Sequence, residues 1–247
     1  MDLISLFKSK ISEYNPSFEI TGLLTPEDLI YTFGTDTKVL STVFEMLVEP
    51  FLKEIAYENG LQLYIPDKQN FYPDFTLMSD KNDTAKIAID VKTTYRRFSR
   101  QTRTWNAKFT LGGFNSFMRN GSKNIAFPYD SYSRHYVIGF VYTRNTESET
   151  RVLKIEQRSN APLCYSDVEW FIQEKYKISG EKPGSGNTEN IGSITGHSVD
   201  DFERGDGPFA EYGQEVFDDY WKNYPKYRNS KKGYSTLSEY FEWKKTE

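Results

Sequence analysis

Apolar residues recur at helical intervals in one long segment near the N-terminus. From Asp36 to Tyr57 they fall three and four positions apart, which predicts an amphipathic helix with one buried face. Pro50 lies inside this segment, where we expect it to kink or split the helix. Asn59-Gly60 provides the stop signal. Candidate caps precede the helix at Thr35, Asp36 and Thr37. The apolar face consists of Val39, Leu40, Val43, Phe44, Leu47 and Val48.

Strand-like runs occupy the middle of the chain. His135 to Tyr142 is strongly apolar and aromatic, which predicts a central buried strand, with His135 in the core or at the strand end rather than on a metal. Phe75–Met78 and Ala85–Val91 are two further runs, and the polar turn Ser79–Thr84 joins them into a predicted hairpin. Shorter strands are predicted at Leu61–Ile65 and, around a Thr25-Pro26 turn, within Phe18–Phe33.

The remaining elements are predicted in outline only. We expect a break between elements at Phe109–Gly113, because Gly112 and Gly113 are adjacent there. Val152–Val168 is ambiguous, and Glu169–Ile178 is compatible with either a helix or a strand. Further helices are predicted over residues 2–14, Phe114–Arg119, Gln214–Tyr224 and Ser235–Lys244.

Asp74, Asp90 and Lys92 carry the most informative chemistry of the chain. Side chains alternate faces along a strand, so Asp90 and Lys92 project to one side, and Asp74 reaches that side if the two runs pair. Two carboxylates and an ammonium at one sheet edge suit a divalent cation held by oxygen ligands, with a lysine beside it. An isolated Asp-x-Lys is usually a surface charge pair. The apolar residues around Asp90 favour a site, because burying unpaired charges is costly without a function.

Composition limits the class of protein. At 247 residues, with 37% hydrophobic and 16% aromatic residues, the chain can bury a substantial core. No apolar run approaches the length needed to cross a membrane, and the N-terminus lacks a secretory pattern, so we expect a cytoplasmic protein. The single cysteine, Cys164, excludes an internal disulfide framework and a cysteine metal cluster, and we expect a buried or incidental thiol.

Charge is distributed unevenly. The net charge is −4, yet the segment from Val91 to Tyr129 contains no acidic residue and eight basic ones. A basic block that begins at the carboxylate site is typical of a phosphate-backbone partner, although a solvated basic loop would have the same composition.

The segment from Gly180 to Gly196 is rich in Gly, Ser, Asn and Thr, and we expect a loop there. It lacks the Gly-Lys-Ser/Thr ending of a P-loop. Two interpretations remain open: a linker, or a loop whose backbone and polar side chains read base edges in the major groove.

Longer segments of the chain resemble the type II restriction endonucleases of the PD-(D/E)xK superfamily. The similarity is colinear over nearly the whole chain and is weakest in the first thirty residues, around 145–170 and after Tyr224. It is carried by Gly34–Thr42, Tyr72–Leu77, Lys86–Tyr95, Lys108–Gly113, Gly139–Arg144, Gly184–Thr188 with Asn190–Ser193, and Asp219–Tyr224.

The resemblance implies an α/β fold of the α+β type, with a mixed central β-sheet flanked by helices in a single domain over residues 1–247. Residues 18–34 and 145–165 would form a dimerisation subdomain. The implied activity is Mg²⁺-dependent cleavage of palindromic double-stranded DNA by a homodimer, at a GATATC-like site cut bluntly at its centre. Mn²⁺ would substitute for Mg²⁺, and Ca²⁺ would support binding without cleavage. A cognate DNA methyltransferase in a prokaryotic cytoplasm would accompany the enzyme.

The resemblance also implies individual roles. Asp74, Asp90 and Lys92 would be catalytic, with Asp74 and Asp90 on the metal. Glu45 matches an auxiliary catalytic and metal position, although an exposed helix charge is an equal alternative. The implied base-recognition residues are Gln69, Asn70, Gly184, Ser185, Gly186, Asn187 and Thr188. The implied phosphate contacts are Thr37, Lys38, Thr93, Thr94, Tyr95, Ser116, Arg119, Lys123, Asn190, Trp221 and Arg228.

The chain departs from the family pattern at three places. Arg96–Asn106 is longer and more basic than expected, Glu189 replaces a small neutral residue, and the segment after Tyr224 is shortened and contains Pro225. A carboxylate at Glu189 could favour a cytosine amino group or repel a phosphate. Two alternative functions are a structure-specific repair or recombination nuclease with the same core, and a non-catalytic DNA-binding module. The presence of all three residues Asp74, Asp90 and Lys92 argues against the second.

Overall fold

The periodic segments of the sequence form helices and strands in a computed structural model that describes residues 1–35, 37–121, 123–184, 189–225 and 233–246, with the backbone alone at 37 and 38. The helices are α1 (Leu3–Tyr14), α2 (Thr37–Glu58), α3 (Lys175–Ile178), α4 (Val199–Arg204), α5 (Gly213–Asn223) and α6 (Leu237–Lys244). The strands are β1 (Gly22–Leu24), β2 (Leu29–Thr32), β3 (Gln62–Tyr64), β4 (Phe75–Met78), β5 (Lys86–Tyr95), β6 (Arg97–Ser99), β7 (Thr104–Asn106), β8 (Thr110–Gly113), β9 (Tyr132–Arg144), β10 (Val152–Lys154), β11 (Tyr165–Glu174), β12 (Ser179–Pro183) and β13 (Asn190–Ser193).

The central sheet has five strands in the order β11-β9-β5-β4-β3. Strands β5 and β9 are parallel, whereas the other neighbours are antiparallel, so the sheet is mixed. Helices pack on both sides of it, which confirms the predicted fold class. The predicted strand at His135–Tyr142 is the middle of β9, and Glu169–Ile178 divides between the end of β11 and α3.

Strand β5 separates two hydrophobic cores because its side chains alternate between them. Ile89 and Val91 pack into the core formed with α1 and α2. Ala88 packs into the other core, which contains Phe171 and the buried aromatic residues of α5. A strand buried on both faces carries a nearly continuous apolar run, and here Asp90 and Lys92 interrupt that run.

Phe44 is the central aromatic residue of the first core. It is completely buried on α2, stacks on Phe140 with ring centroids 4.4 Å apart and contacts Tyr165 at 5.4 Å. Phe44→Ala is therefore expected to lower the free energy of unfolding by about 3–5 kcal/mol in urea denaturation. Met46, two residues along the same helix, is 63% exposed, so Met46→Ala should change stability by less than about 0.5 kcal/mol. Equal losses in the two variants would contradict the assigned core.

Of the kink or split predicted at Pro50, the split is wrong, because α2 continues through Pro50, and the kink stays a prediction. Proline removes one helical hydrogen bond and costs about 3 kcal/mol in a helix interior. Val48 and Leu52, on either side of Pro50, are completely buried, and their packing offsets that cost. Of the predicted cap residues, Asp36 lies outside the described residues.

The expected break at Phe109–Gly113 is wrong, because β8 begins at Thr110. The glycine-rich segment 180–196 is also not a simple loop: β12 and β13 form a hairpin there, and β13 pairs with β8 in a three-stranded sheet. A Cβ at Gly192 would lie 2.9 Å from the carbonyl oxygen of Lys182, so glycine here permits close approach of two strands.

A small third sheet combines two segments that are far apart in sequence. Strand β2 pairs with β1 on one side and with β10 on the other. These strands come from the segments 18–34 and 145–165. No helix in the described part of the chain is long and apolar enough to cross a membrane.

Candidate active site

The pairing of β4 with β5 brings Asp74, Asp90 and Lys92 together. Phe75 pairs with Ile89, so Asp74 at the start of β4 lies across from Asp90. The carboxylate of Asp74 accepts a hydrogen bond of 2.7 Å from the backbone N–H of Val91. The ammonium of Lys92 lies 2.8 Å from Asp90 Oδ2 and 4.0 Å from Asp74 Oδ2. The three side chains therefore converge, as the strand alternation predicts.

The segment that leads to Asp74 is held by Tyr72. Its backbone exchanges hydrogen bonds with Asn124 and Ala126 at 3.0 and 2.8 Å. Its hydroxyl lies 2.7 Å from Nδ1 of His135, and its ring stacks on Phe117 at 4.1 Å. His135 is buried in this contact, as expected for a core residue, and burial holds its pKa well below the usual value. These contacts fix the backbone from which the Asp74 carboxylate projects.

Burial and charge together set the protonation of this cluster. Burial raises the pKa of Asp74 to about 8; the attraction of Lys92 opposes this rise, and the repulsion of Asp90 adds to it. Burial disfavours the charge on Lys92, but the facing carboxylates outweigh burial and raise the pKa of the ammonium above its usual value. The lysine is therefore a fixed positive charge between two carboxyl groups.

The carboxylates fit a divalent cation of the oxygen-binding type. Asp90 Oδ2 is buried and, within the described part of the chain, has no polar partner apart from its ion pair with the Lys92 ammonium at 2.8 Å. The described residues contain no cluster of three or more His, Cys, Asp or Glu side chains that could hold a metal. Two carboxylates are nevertheless enough for Mg²⁺, which commonly keeps several waters and substrate phosphate oxygens as its other ligands.

Glu45 projects from α2 toward the same cluster. It is half-buried and lines the cleft that also contains Lys92. Burial raises the pKa of Glu45; Lys92 lowers it and Asp90 raises it further, so the three charges interact. The structure thus brings Glu45 near the cluster but does not join it to Asp74 and Asp90 as a third ligand.

A cleft of about 690 Å³ opens beside Lys92. Thr93, Thr94 and Tyr95 continue along β5 on its wall, and Lys108 and Thr110 line the other side. The Thr94 hydroxyl donates a 3.0 Å hydrogen bond to the carbonyl of Lys108, which ties the two walls together. The cleft therefore begins at Lys92, which faces both carboxylates, and its lining includes hydroxyl and basic side chains.

A family model for the restriction endonuclease EcoRV matches residues 14–245 of the chain. The chain is also 42% identical to the type II restriction enzyme EcoRV of Escherichia coli over 248 residues, which cover 98% of each protein. The chain belongs to the EcoRV family of restriction endonucleases. It is a homologue of a site-specific deoxyribonuclease, and the resemblance inferred from the motifs is confirmed.

The phosphate contacts implied by the EcoRV-type sequence pattern lie in three kinds of position. Thr93, Thr94 and Tyr95 line the cleft beside Lys92. Lys123 is exposed, whereas Ser116 and Asn190 are half-buried near Gly113. Arg228 and the side chains of Thr37 and Lys38 lie outside the described residues.

Two predicted phosphate contacts of this EcoRV relative have structural positions instead. Arg119 donates from Nε to the carbonyl of Lys222 at 2.9 Å, from a terminal nitrogen to the carbonyl of Tyr224, and from Nη1 to Asn115 at 3.1 Å. Trp221 is completely buried, packed between aromatic rings. In this conformation Arg119 binds the C-terminal carbonyls of α5 and Trp221 belongs to the core, and their phosphate contacts stay predictions.

Arg119→Gln should therefore affect folding rather than DNA binding. Losing charged hydrogen bonds to the end of α5 is expected to lower the free energy of unfolding by about 2 kcal/mol. The matched variant Lys123→Gln removes an exposed charge, so it should leave stability unchanged. It should also reduce the slope of the logarithm of the DNA-binding constant against the logarithm of salt concentration by about one. Urea denaturation and binding titrations at several salt concentrations measure both effects. A weaker salt dependence in the Arg119 variant without a stability loss would restore its phosphate role.

The predicted base-recognition residues lie on two loops. Gln69 and Asn70 are exposed in the loop before Tyr72. Gly184 begins the connection from β12 to β13 and donates a 2.8 Å hydrogen bond to the carbonyl of Asn190. Ser185, Gly186, Asn187 and Thr188 lie outside the described residues. A Cβ at Gly184 would lie 3.5 Å from the hydroxyl of Thr110, so this loop starts beside the cleft.

The sequence reasoning missed several residues around the site of this EcoRV-family protein. Lys108 and Thr110 are exposed on the cleft, whereas Phe109 and Leu111 between and after them are buried. That alternation is a strand signal, and it was obscured by the two glycines that follow. Lys175 is also buried, with its ammonium 4.4 Å from the centre of the Tyr72 ring, and burial lowers its pKa to about 8. No sequence signal distinguishes Lys175 from Lys177 and Lys182 near it.

Proposed function

We propose that this protein is a Mg²⁺-dependent type II restriction endonuclease that cleaves both strands of a palindromic DNA site. The observation that carries the proposal is the convergence of Asp74, Asp90 and Lys92 beside a polar cleft that Lys92 lines, with a buried Asp90 oxygen whose polar partner in the described part of the chain is the Lys92 ammonium. Family membership supports the reaction class.

Each residue of the cluster has a role in phosphodiester hydrolysis. A divalent cation bound to Asp74 and Asp90 would lower the pKa of a water molecule and offset charge on the phosphate. Lys92 can stabilise the negative charge that develops on the phosphoryl oxygens, because its ammonium is held beside both carboxylates. Attack by water on phosphorus breaks the bond to the 3′ oxygen. The products carry a 5′-phosphate and a 3′-hydroxyl that has gained a proton.

We infer a GATATC-like site that is cut at its centre to leave blunt ends. Support comes from the sequence similarity to EcoRV and from two polar loops, at Gln69–Asn70 and after Gly184, that flank the cluster in sequence. The central TA step is a pyrimidine–purine step, which kinks easily, so bending of the DNA can select it without direct contacts.

A homodimer would place one active site on each strand of a palindrome. The small sheet of β1, β2 and β10 offers a surface for it. Leu23, Tyr31 and Val152 lie side by side across its three strands and are 57%, 45% and 52% exposed. An exposed apolar row of this kind is typical of an interaction surface, and a two-fold axis would pair it with the same row on a second copy.

The central position of Tyr31 in this row makes it the most sensitive point of the proposed interface. Tyr31→Lys would place a charge in the middle of the apolar row, and we expect monomers in analytical ultracentrifugation at concentrations where the wild type is dimeric. Tyr57 is 87% exposed on α2, so Tyr57→Lys is the matched control and should leave the dimer intact. A dimeric Tyr31 variant would place the interface elsewhere.

Digestion of a defined plasmid, followed by sequencing of the ends, tests the proposed function. We expect discrete fragments with blunt ends in Mg²⁺, cleavage also in Mn²⁺, and binding without cleavage in Ca²⁺. Staggered ends would reject the central cut, and a smear or junction-dependent nicks would favour a repair nuclease. Such an enzyme requires a cognate DNA methyltransferase to protect the host DNA in a prokaryotic cytoplasm.

A further inference from the structure

Strands β6 and β7 form an isolated hairpin that carries the most basic part of the chain. Arg97, Arg100 and Arg103 are exposed along it. None of the three forms an ion pair with another described residue, whereas Arg96 at the base of the hairpin pairs with Glu169. The segment from Val91 to Tyr129 contains no acidic residue, so the positive charge of the hairpin is not neutralised within its own segment.

An aromatic pair crosses the hairpin. Phe98 on β6 faces Trp105 on β7, with ring centroids 5.3 Å apart in an edge-on arrangement. Cross-strand aromatic pairs stabilise two-stranded hairpins. The two rings nevertheless remain 50% and 53% exposed, so the hairpin projects into solvent rather than lying flat on the protein.

Both ends of the hairpin are anchored to the body of the protein. On one side, Arg96 donates a backbone hydrogen bond of 2.9 Å to Tyr142 and a side-chain hydrogen bond of 2.7 Å to the carbonyl of Asp167. On the other side, Ala107 and Gly196 exchange backbone hydrogen bonds of 2.8 and 3.0 Å. A two-stranded hairpin is marginally stable alone, so these anchors fix its direction.

The hairpin continues the surface of the cleft. Its first and last residues, Arg97 and Asn106, line the same cleft as Lys92. A duplex whose scissile phosphate lies beside Lys92 would pass the base of the hairpin first, and the charged tip would meet the backbone farther along. We propose that the β6–β7 hairpin is a DNA-binding arm whose Arg100 and Arg103 contact phosphates of the duplex outside the recognised bases. This inference rests on the proposed function of the cleft.

The backbone at the tip supports a role for the Arg103 side chain and provides a clean variant. Arg103 has φ of 55°, in the left-handed region that glycine adopts without steric cost. Arginine is not required there for the turn. Arg103→Gly therefore removes the charge while keeping, or relaxing, the turn between β6 and β7.

Binding to duplexes of two lengths tests the arm. One duplex is about one helical turn long and contains the proposed site. The other contains the same site and is about three turns long. The titrations use Ca²⁺ in place of Mg²⁺, so that the bound DNA is not cleaved. We expect the R100A/R103G variant to lose about tenfold in affinity for the long duplex, with a salt slope lower by about two per protomer, and to bind the short duplex as the wild type does.

Two control variants separate the effect of the lost charge from an effect on folding. R100K/R103K keeps both charges and should retain at least about half of the wild-type affinity for the long duplex, since phosphate contacts tolerate either cation. K8Q/K53Q removes two ion-paired charges outside the cleft, a half-buried one from α1 and an exposed one from α2, and should leave both affinities within about twofold of the wild type.

If R100A/R103G changes the affinity for the two duplexes equally, or changes neither affinity, the proposal of a DNA-binding arm is overturned. Site-specific plasmid cleavage by the wild-type protein is scored separately, so the arm can fail while the proposed function stands. A wild-type protein that binds neither duplex would overturn both.

Discussion

Cleavage by an Asp90→Ala variant is expected to fall by at least about a thousandfold, because the residue is the most deeply buried ligand of the proposed cation site. Charge stabilisation by a bound metal ion contributes several kcal/mol to such a reaction, and about 1.4 kcal/mol corresponds to a factor of ten in rate. The side chain of Asp90 is 4% exposed, and its Oδ2 lies 2.8 Å from the Lys92 ammonium, so the variant loses both a cation ligand and the ion-pair partner of Lys92.

Two measurements separate a lost cation site from a lost fold. Isothermal titration with Mn²⁺ should show weaker binding to the Asp90→Ala variant, and DNA titrations in Ca²⁺ should show that DNA binding persists. Asp200 is exposed in the first turn of α4, so Asp200→Ala is the matched control and should cleave at the wild-type rate. Wild-type cleavage by the Asp90 variant would remove Asp90 from the mechanism.

The convergence of Asp74, Asp90 and Lys92 could be predicted because it depends on local rules alone. The alternation of β5 fixes which residues share a face, and the short polar turn before it fixes the pairing with β4. Neither rule needs information from distant parts of the chain. The family similarity then extended the prediction to the fold, because the carrying segments span nearly the whole sequence.

Glycines were harder to interpret, because the same residue serves two physical purposes. In segment 180–196 they suggested conformational freedom, yet Gly192 is needed where β12 and β13 approach closely. Only the position of the partner strand distinguishes the two. The same ambiguity hid β8, in which Gly112 and Gly113 follow a clear alternation of exposed and buried residues.

Arg119 and Trp221 show a different limit. Arginine and tryptophan are suited both to phosphate contacts and to packing, and the choice depends on what lies nearby in three dimensions. The C-terminal carbonyls of α5 take the Arg119 guanidinium, and the aromatic core takes Trp221. Pro50 shows the same effect on a helix, because burial of its neighbours outweighs a local rule.

Replacement of Lys92 by methionine should be as damaging to cleavage as the Asp90 change, but for a different reason. Methionine keeps most of the apolar stem and removes the ammonium that lies 2.8 Å from Asp90 and 4.0 Å from Asp74. We expect a loss of about a thousandfold in cleavage, because a charge fixed beside the phosphoryl group typically contributes on this scale.

The two variants should differ in cation binding, and this difference assigns their roles. Removing a positive charge leaves two carboxylates facing each other, so the Lys92→Met variant should bind Ca²⁺ or Mn²⁺ at least as tightly as the wild type. The Asp90→Ala variant should bind these ions more weakly.

Without a cation the Lys92→Met variant should be less stable in urea. That loss is limited because burial raises the pKa of Asp74 to about 8, so its carboxyl group is largely protonated at neutral pH when no cation is bound. A Lys92→Met variant that cleaves normally, or that loses cation binding as the Asp90 variant does, would show that Lys92 does not act on the phosphate.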